Sequence, residues 1–355
     1  MHSNVRKSLR QGVVIPAHPL ALDARRKLDE RRQRGLSRYY LAAGAGGLAV
    51  GVHSTQFAIR EAEHGLFEPV LSLAIETMKD HERRTGDALV KVAGVVGPTR
   101  QAVREAQIAV DHGYDLVLLS LAALRDRSDE QLIEHCRQVA GIIPLFGFYL
   151  QPAVGGRVLS VEFWRRFAQI ENVAAIKIAP FNRYQTLDVV RAVAEAGRAL
   201  DSDGGIALYS GNDDAIVEDL IGQWDIQVQG ATVTQRIVGG LLGHWGVWTQ
   251  KAVHTLARCH EAAASNSVPR ELLSVANWVT DMNAAVFDPA HDFRGCLPGI
   301  LEVLRRQGLV GGTWCLDPHE TLSPGQSDEI KRVCVSYPEL VDDDFVAKHR
   351  DEWLR

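Results

Sequence analysis

Short, nearly continuous apolar runs alternate along the chain with longer stretches whose apolar residues recur at helical spacing. Each run reads as a strand buried on both faces, and each periodic stretch as an amphipathic helix. The strands fall at 12–18 (GVVIPAH), 48–52 (LAVGV), 88–96 (ALVKVAGVV), 115–121 (DLVLLSL), 144–150 (PLFGFYL), 174–179 (AAIKIA) and 206–211 (IALYSG). Helices fit at 28–44, near 61–84, at 99–113, 128–141 and 160–171, near 185–199, and at 213–222. Ser128 and Glu130 suit a helix start, and Gly113 a helix stop.

Seven strand–helix pairs in this rhythm require a parallel sheet. An eighth is expected from GVWT at 246–249 with the helix 251–264, and the alternating segment 224–238 around Gly230 reads as a hairpin inserted before it. Eight such units in about 250 residues give an α/β fold of the (β/α)8 TIM-barrel type. The barrel is expected over 12–264, after an N-terminal arm at 1–11; strand signals then stop, leaving 265–355 as a C-terminal helical region. A doubly wound sheet fits less well, because no strand-to-helix turn carries G-x-G-x-x-G. GAGG at 44–47 joins helix to strand, the wrong side for a phosphate cradle.

Composition narrows the function. The 355 residues carry a net charge of −5, which argues against a nucleic-acid partner. The longest apolar stretch, 41–52, is broken by Gly44, Gly46, Gly47 and Gly51 and is too short to span a bilayer. The five cysteines (Cys136, Cys259, Cys296, Cys315, Cys334) are scattered, as in reduced thiols, and the basic N-terminus has no apolar signal core. A cytoplasmic protein with no membrane partner is expected. No cofactor motif is present, and His254 and His260, six apart on one helix, have the wrong spacing for a shared metal. The arginines between Arg25 and Arg38 are interleaved with Asp23, Asp29 and Glu30, which reads as a solvated helix face. His244, Trp245 and Trp248 either line the pocket mouth or pack the hairpin.

In a barrel of this kind, reactive side chains stand at the C-terminal ends of the strands. Those ends offer His18, His53 with Ser54 and Thr55, Ser120, Tyr149, Lys177, Ser210 with Asn212 and Asp213, and Trp248 with Thr249. Of eight lysines, only Lys91 and Lys177 fall inside predicted strands, and Lys91 lies early in its strand. Lys177, within Ala-Ala-Ile-Lys-Ile-Ala, would be desolvated, which lowers its pKa toward that of a nucleophilic amine. The other reading of Lys177 is an ion-paired structural lysine.

An ordered set of landmarks from about 12 to 335 resembles the dihydrodipicolinate synthase / N-acetylneuraminate lyase family of Schiff-base aldolases. Ile15-Pro16-Ala17-His18 sits at the family's Thr-Pro-Phe strand end, Val50-Gly51 at the start of its Gly-Thr-Thr-Gly-Glu loop, and Glu63 at its downstream acidic position. Tyr149-Leu150-Gln151-Pro152 resembles Tyr-Asn-x-Pro, Ala175-Ile176-Lys177 resembles Gly-x-Lys, and Ser210-Gly211-Asn212-Asp213 resembles Ser-Gly-x-Asp. The resemblance implies a cofactor-independent lyase acting on a keto acid, with Lys177 as the Schiff-base residue, in a homotetramer or dimer.

The departures are specific. The threonine pair that holds the keto acid's carboxylate aligns with Val52-His53, the family's paired tyrosines with Ala122 and Ala123, and the synthase's substrate arginine with Val154. These losses argue against authentic dihydrodipicolinate synthase activity. Tyr149 is expected to move protons, with His53 completing the relay; the alternatives are that Tyr149 only packs over the pocket and that His53 is a packed loop histidine. Ser54, Thr55, His18, Ser210 and Asn212 are expected around the substrate. Aldol chemistry, dehydration, and a non-catalytic binding relative all remain open on the residues alone.

Overall fold

The computed structural model describes residues 1–265 and 267–355. Eight parallel strands form the barrel: β1 (Val14–Pro16), β2 (Gly47–Val50), β3 (Val90–Val95), β4 (Leu116–Leu119), β5 (Leu145–Leu150), β6 (Val173–Ala179), β7 (Ala207–Ser210) and, after the antiparallel pair β8 (Trp224–Val228) and β9 (Ala231–Gln235), β10 (Ile237–Leu242). They run in the order β1-β10-β7-β6-β5-β4-β3-β2. The ring closes where Ala17 bridges Ala49 and the His18 N–H donates to the Ala49 carbonyl at 2.9 Å. The fold is the expected (β/α)8 TIM barrel with a C-terminal helical region.

The eighth strand is a correction. It is β10 at 237–242, not 246–249; residues His244–Gly246 form a 3-10 turn that leads into the helix Thr249–Ala264. The hairpin therefore ends at Gln235, not at 238, and turns through Gln229 and Gly230, both at positive φ. Gly239 and Gly240 disguise β10, because paired glycines read as loop. Each is required by packing: a Cβ on Gly239 would lie 2.7 Å from the Tyr209 ring, and one on Gly240 2.6 Å from Trp245.

The first residues are also ordered, as the helix Ser3–Gln11. Its Val5 and Leu9 are buried against the interior, and the Tyr209 hydroxyl donates to the Leu9 carbonyl at 2.9 Å. Side chains split into two apolar layers by strand parity. Ile15, Ala49, Val92, Leu118, Phe146 and Tyr209 belong to the interior; Leu48, Val117, Ile176 and Leu208 pack against the helices.

Four helices, Arg270–Phe287, Cys296–Arg306, Gln326–Ser336 and Asp343–Trp353, follow the barrel. Buried Asp342 ties them down, accepting from the Tyr39 hydroxyl at 2.7 Å, the Gln250 N–H at 3.1 Å and Gln307 Nε2 at 2.9 Å. Phe287, Phe293, Cys296 and Ile300 thereby reach the cavity at the C-terminal end of the strands. Among the described residues no helix is long and apolar enough to cross a membrane.

Candidate active site

β6 alternates Ile176 and Ile178 toward the helices with Ala175, Lys177 and Ala179 toward the axis. Lys177 thus enters the barrel between two alanines, near the C-terminal end of its strand. It stands in register with Phe148 of β5, whose ring centroid lies 4.7 Å from Nζ. Across β7, Gly211 makes room for it: a Cβ there would be 2.6 Å from Lys177 Cε and 2.7 Å from the Ala179 Cβ. Space for the lysine stem is therefore written into the Ser-Gly step.

Lys177 lines a small cavity of about 90 Å³ with His53, Ser54, Phe148, Phe181 and Asp213. Burial lowers the lysine's pKa below the usual ammonium range, against the pull of the Asp213 and Cys296 charges. Asp213 responds in the opposite sense: burial raises it well above the usual carboxylate range, although the Lys177 charge and a bond from the His244 backbone N–H pull it down. Its Oδ1 is buried and has no partner among the described residues. The Cys296 thiol beside the pair is held protonated by burial and by the Asp213 charge. Two proton carriers with pKa values displaced toward each other share one pocket.

His53 and Ser54 line the cavity. Burial, reinforced by the Lys177 charge, pushes His53 down to about 4, so its imidazole is neutral at pH 7. Ser54 is 5% exposed, and its Oγ has no partner among the described residues.

The other expected residues lie elsewhere. Tyr149 is a correction: its neighbour Phe148 faces inward, so Tyr149 faces the helices and packs on Trp164 at 5.2 Å. Its hydroxyl accepts from the Leu159 N–H at 3.1 Å and donates to the Leu159 carbonyl at 3.3 Å. Phe148 and Leu150 line the cavity in its place, and burial raises the phenol further above its ordinary pKa.

His18 is turned outward in the same way, bonded to Ser37 Oγ at 2.8 Å and to the Pro19 carbonyl at 2.8 Å. The Thr55 hydroxyl accepts from the Gly51 N–H at 3.0 Å and donates to the His18 carbonyl at 2.7 Å, which fixes the loop after β2. Ser210 and Asn212 bind Asp219 at 2.7 and 3.0 Å, and Arg183 completes that buried group. These four residues build the walls of the site but stay outside the cavity.

Asp213, offered by the sequence only as a strand-end residue without a role, lines the cavity with Lys177. The signal for it in the sequence is its match to the aspartate of Ser-Gly-x-Asp, in which Asn212 falls on the variable position. Trp245 and Trp248 are buried, and His244 packs on Trp248 at 5.9 Å, so these residues belong to the packing behind Asp213.

A barrel with a desolvated lysine at its C-terminal mouth defines a class of candidate carbonyl enzymes. The chain belongs to the dihydrodipicolinate synthetase family, whose model matches residues 11–243. Solved structures agree in fold at low identity. Dihydrodipicolinate synthase from Oceanobacillus iheyensis superposes with a TM-score of 0.72 at 16% identity, covering 94% of this chain and 99% of that one. N-acetylneuraminate lyase from Fusobacterium nucleatum complexed with pyruvate gives 0.69 at 15%, over 94% and 99%. YagE, a prophage protein of this family from E. coli K12 in complex with pyruvate, gives 0.70 at 18%, over 92% and 98%. No curated protein sequence matches the chain.

Proposed function

We propose that the protein is a lyase that forms a Schiff base between Lys177 and a keto acid, then makes or breaks a carbon–carbon bond or eliminates a hydroxyl beside the imine. The observation that carries this reading is the desolvated Lys177 sharing one small cavity with Asp213 at the C-terminal mouth of the barrel. The pyruvate complexes named above, on the same fold, support a keto acid as the nucleophile's target.

The neutral Lys177 amine attacks the ketone carbon, and the proton given up by the attacking nitrogen passes to the carbonyl oxygen to give a carbinolamine. Loss of that hydroxyl as water requires a second proton. Protonated Asp213 supplies it, being an acid raised toward neutrality and placed beside the amine. In carbon–carbon cleavage the resulting iminium takes up the electron pair of the breaking bond as an enamine and returns it in condensation. In elimination it takes up the pair of the adjacent C–H bond, whose proton passes to His53. The enamine then expels the hydroxyl, which leaves as water on taking that proton. Ser54 Oγ, buried and unpartnered among the described residues, donates to the substrate's carboxylate, while neutral His53 accepts or relays the electrophile's proton. The chemistry calls for no cofactor, and assembly into a dimer or tetramer is part of the proposal. The loss of the family's tyrosines and arginine at Ala122, Ala123 and Val154 directs the substrate away from that of dihydrodipicolinate synthase.

Borohydride reduction in the presence of pyruvate tests the reading. One reduced pyruvate mapped to Lys177 by peptide mass is expected, with slower trapping in Asp213→Asn. No adduct with pyruvate or a panel of other keto acids would favour a binding protein over a lyase.

A further inference from the structure

Beyond the groups assigned to the imine chemistry, the walls of the Lys177 cavity are mostly apolar. Phe148, Phe181, Phe287, Phe293, Leu150 and Ile300 line it, and its described lining residues include no arginine and no lysine besides Lys177. The neutral side chains of Ser54 and Gln151, also on the wall, offer hydrogen bonds but no charge. With Lys177 committed to the keto acid, a phosphate or second carboxylate on the substrate would be buried without a counter-charge, which is costly.

A second feature is independent of composition. Phe181, in the turn after β6, and Phe293, in the turn before the helix Cys296–Arg306, hold positive φ values of 52° and 62°. A bulky side chain is strained there, where glycine would not be. Both backbones are pinned: the Phe181 N–H donates to buried Asn212 Oδ1 at 3.0 Å, and the Phe293 N–H to the Asp288 carbonyl at 3.0 Å. The two rings meet edge to face with centroids 5.8 Å apart, and each stays half-buried on the cavity wall. A ring serving only the core would be fully covered. The barrel and the C-terminal region thus each accept backbone strain to hold one incompletely covered ring at the same place.

From this geometry we infer that the substrate ends, beyond the imine carbon, in an uncharged aromatic ring seated against Phe181 and Phe293. Edge and face contacts between aromatic rings favour such a ring over a saturated one of the same size. The inference rests on the lyase reading for the keto-acid end: one cavity holds the amine and both phenylalanines, so a substrate joined to Lys177 carries its far end to them. The preference for the ring is measurable without imine formation.

The test titrates the full-length protein with three carboxylates that lack the ketone, followed by ligand-observed NMR: γ-phenylbutyrate, γ-cyclohexylbutyrate, and the para-carboxy derivative of the first. They share one chain and differ only in the aromaticity or the charge of the far end. The phenyl probe is expected to bind about threefold more tightly than its saturated analogue and at least about tenfold more tightly than the dicarboxylate. In Phe181→Leu/Phe293→Leu, the advantage of phenyl over cyclohexyl is expected to vanish. Three results overturn the inference: equal or better binding of the cyclohexyl or dicarboxylate probe, no binding by the phenyl probe, or a phenyl advantage that survives in a double variant shown by its urea midpoint to be folded. Should the variant not fold, the ranking on the unaltered protein decides. Borohydride trapping of pyruvate, run in parallel, reports on Lys177 alone. Trapping without phenyl preference leaves the lyase standing and removes the aromatic substrate; phenyl preference without trapping does the reverse.

Discussion

Two lysines sit on barrel strands, and the chain treats them in opposite ways. Lys91 lies at the N-terminal end of β3, between the inward-facing Val90 and Val92, so its side chain leaves the interior. There it meets Glu82 at 2.5 Å and Asp115 at 3.6 Å and donates to the Leu89 carbonyl at 3.2 Å. Lys177 lies near the C-terminal end of β6 and points inward, with no salt bridge within 4 Å among the described residues. Lys91 is a buried cation whose charge is met; Lys177 is a buried amine whose charge is left costly. Strand end and side-chain parity, two facts of backbone geometry, divide a lysine whose charge is met from one left desolvated at the barrel mouth.

Replacing each lysine by methionine should separate the two roles. Lys177→Met is expected to abolish the borohydride-trapped adduct and to reduce any turnover by at least about a thousandfold, since no other group supplies the imine. Lys91→Met is expected to leave trapping nearly intact but to cost about 3 kcal/mol in urea unfolding, because Glu82 and Asp115 lose their shared cation. Loss of trapping in Lys91→Met, or an adduct that persists in Lys177→Met, breaks the comparison.

The barrel was legible because a sheet covered by helices demands apolar strands, and seven such runs stand out. The inward position of Lys177 was open to the same reading, since a lysine late in an apolar strand falls at the barrel mouth, but the residues alone leave its role between a nucleophile and an ion-paired lysine. The same property hid the parity of β5: every residue from Leu145 to Leu150 is compatible with burial, so nothing marks which of Phe148 and Tyr149 faces inward. Register with Lys177 decides it. A slip of one residue at strand ends likewise sends His18 and Ser210 to the helix side. β10 was missed because its glycines serve packing against Tyr209 and Trp245, which only the assembled barrel reveals. Asp213 stood at a motif position, but its burial, and with it the pKa shift, depends on the assembled cavity and so carried no sequence signal.

The second test compares two histidines that share a depressed pKa for different reasons. Burial pushes both His18 and His53 down to about 4 from 6.5, but only His53 also feels the Lys177 charge. In Lys177→Met, histidine NMR is expected to show His53 titrating higher while His18 stays where it was. The stability consequence has a definite sign. Below pH 6.5 the unfolded chain takes a proton that folded His18 refuses, so stability is lost as pH falls from 6.5 toward 4. The loss is about 3 kcal/mol across that window for His18. Urea midpoints of His18→Gln should decline less steeply with acid than those of the unaltered protein; identical slopes would mean that His18 is not held neutral by burial.

The smallest effect is the most discriminating for the site. Tyr149 is bonded at both its donor and acceptor sides to the Leu159 backbone, and Leu159 is itself buried. Tyr149→Phe keeps the ring on Trp164 and removes only the oxygen. The Leu159 N–H and carbonyl are then left without that partner, which costs about 1–2 kcal/mol in unfolding free energy. Trapping of pyruvate on Lys177 and its pH dependence should be unchanged, because the phenol lies on the far side of the strand from the amine. A stability loss with normal trapping places Tyr149 with Lys91 among residues that hold the barrel. A tenfold slower adduct with unaltered stability would place it with Lys177, and the parity assigned to β5 would have to be reversed.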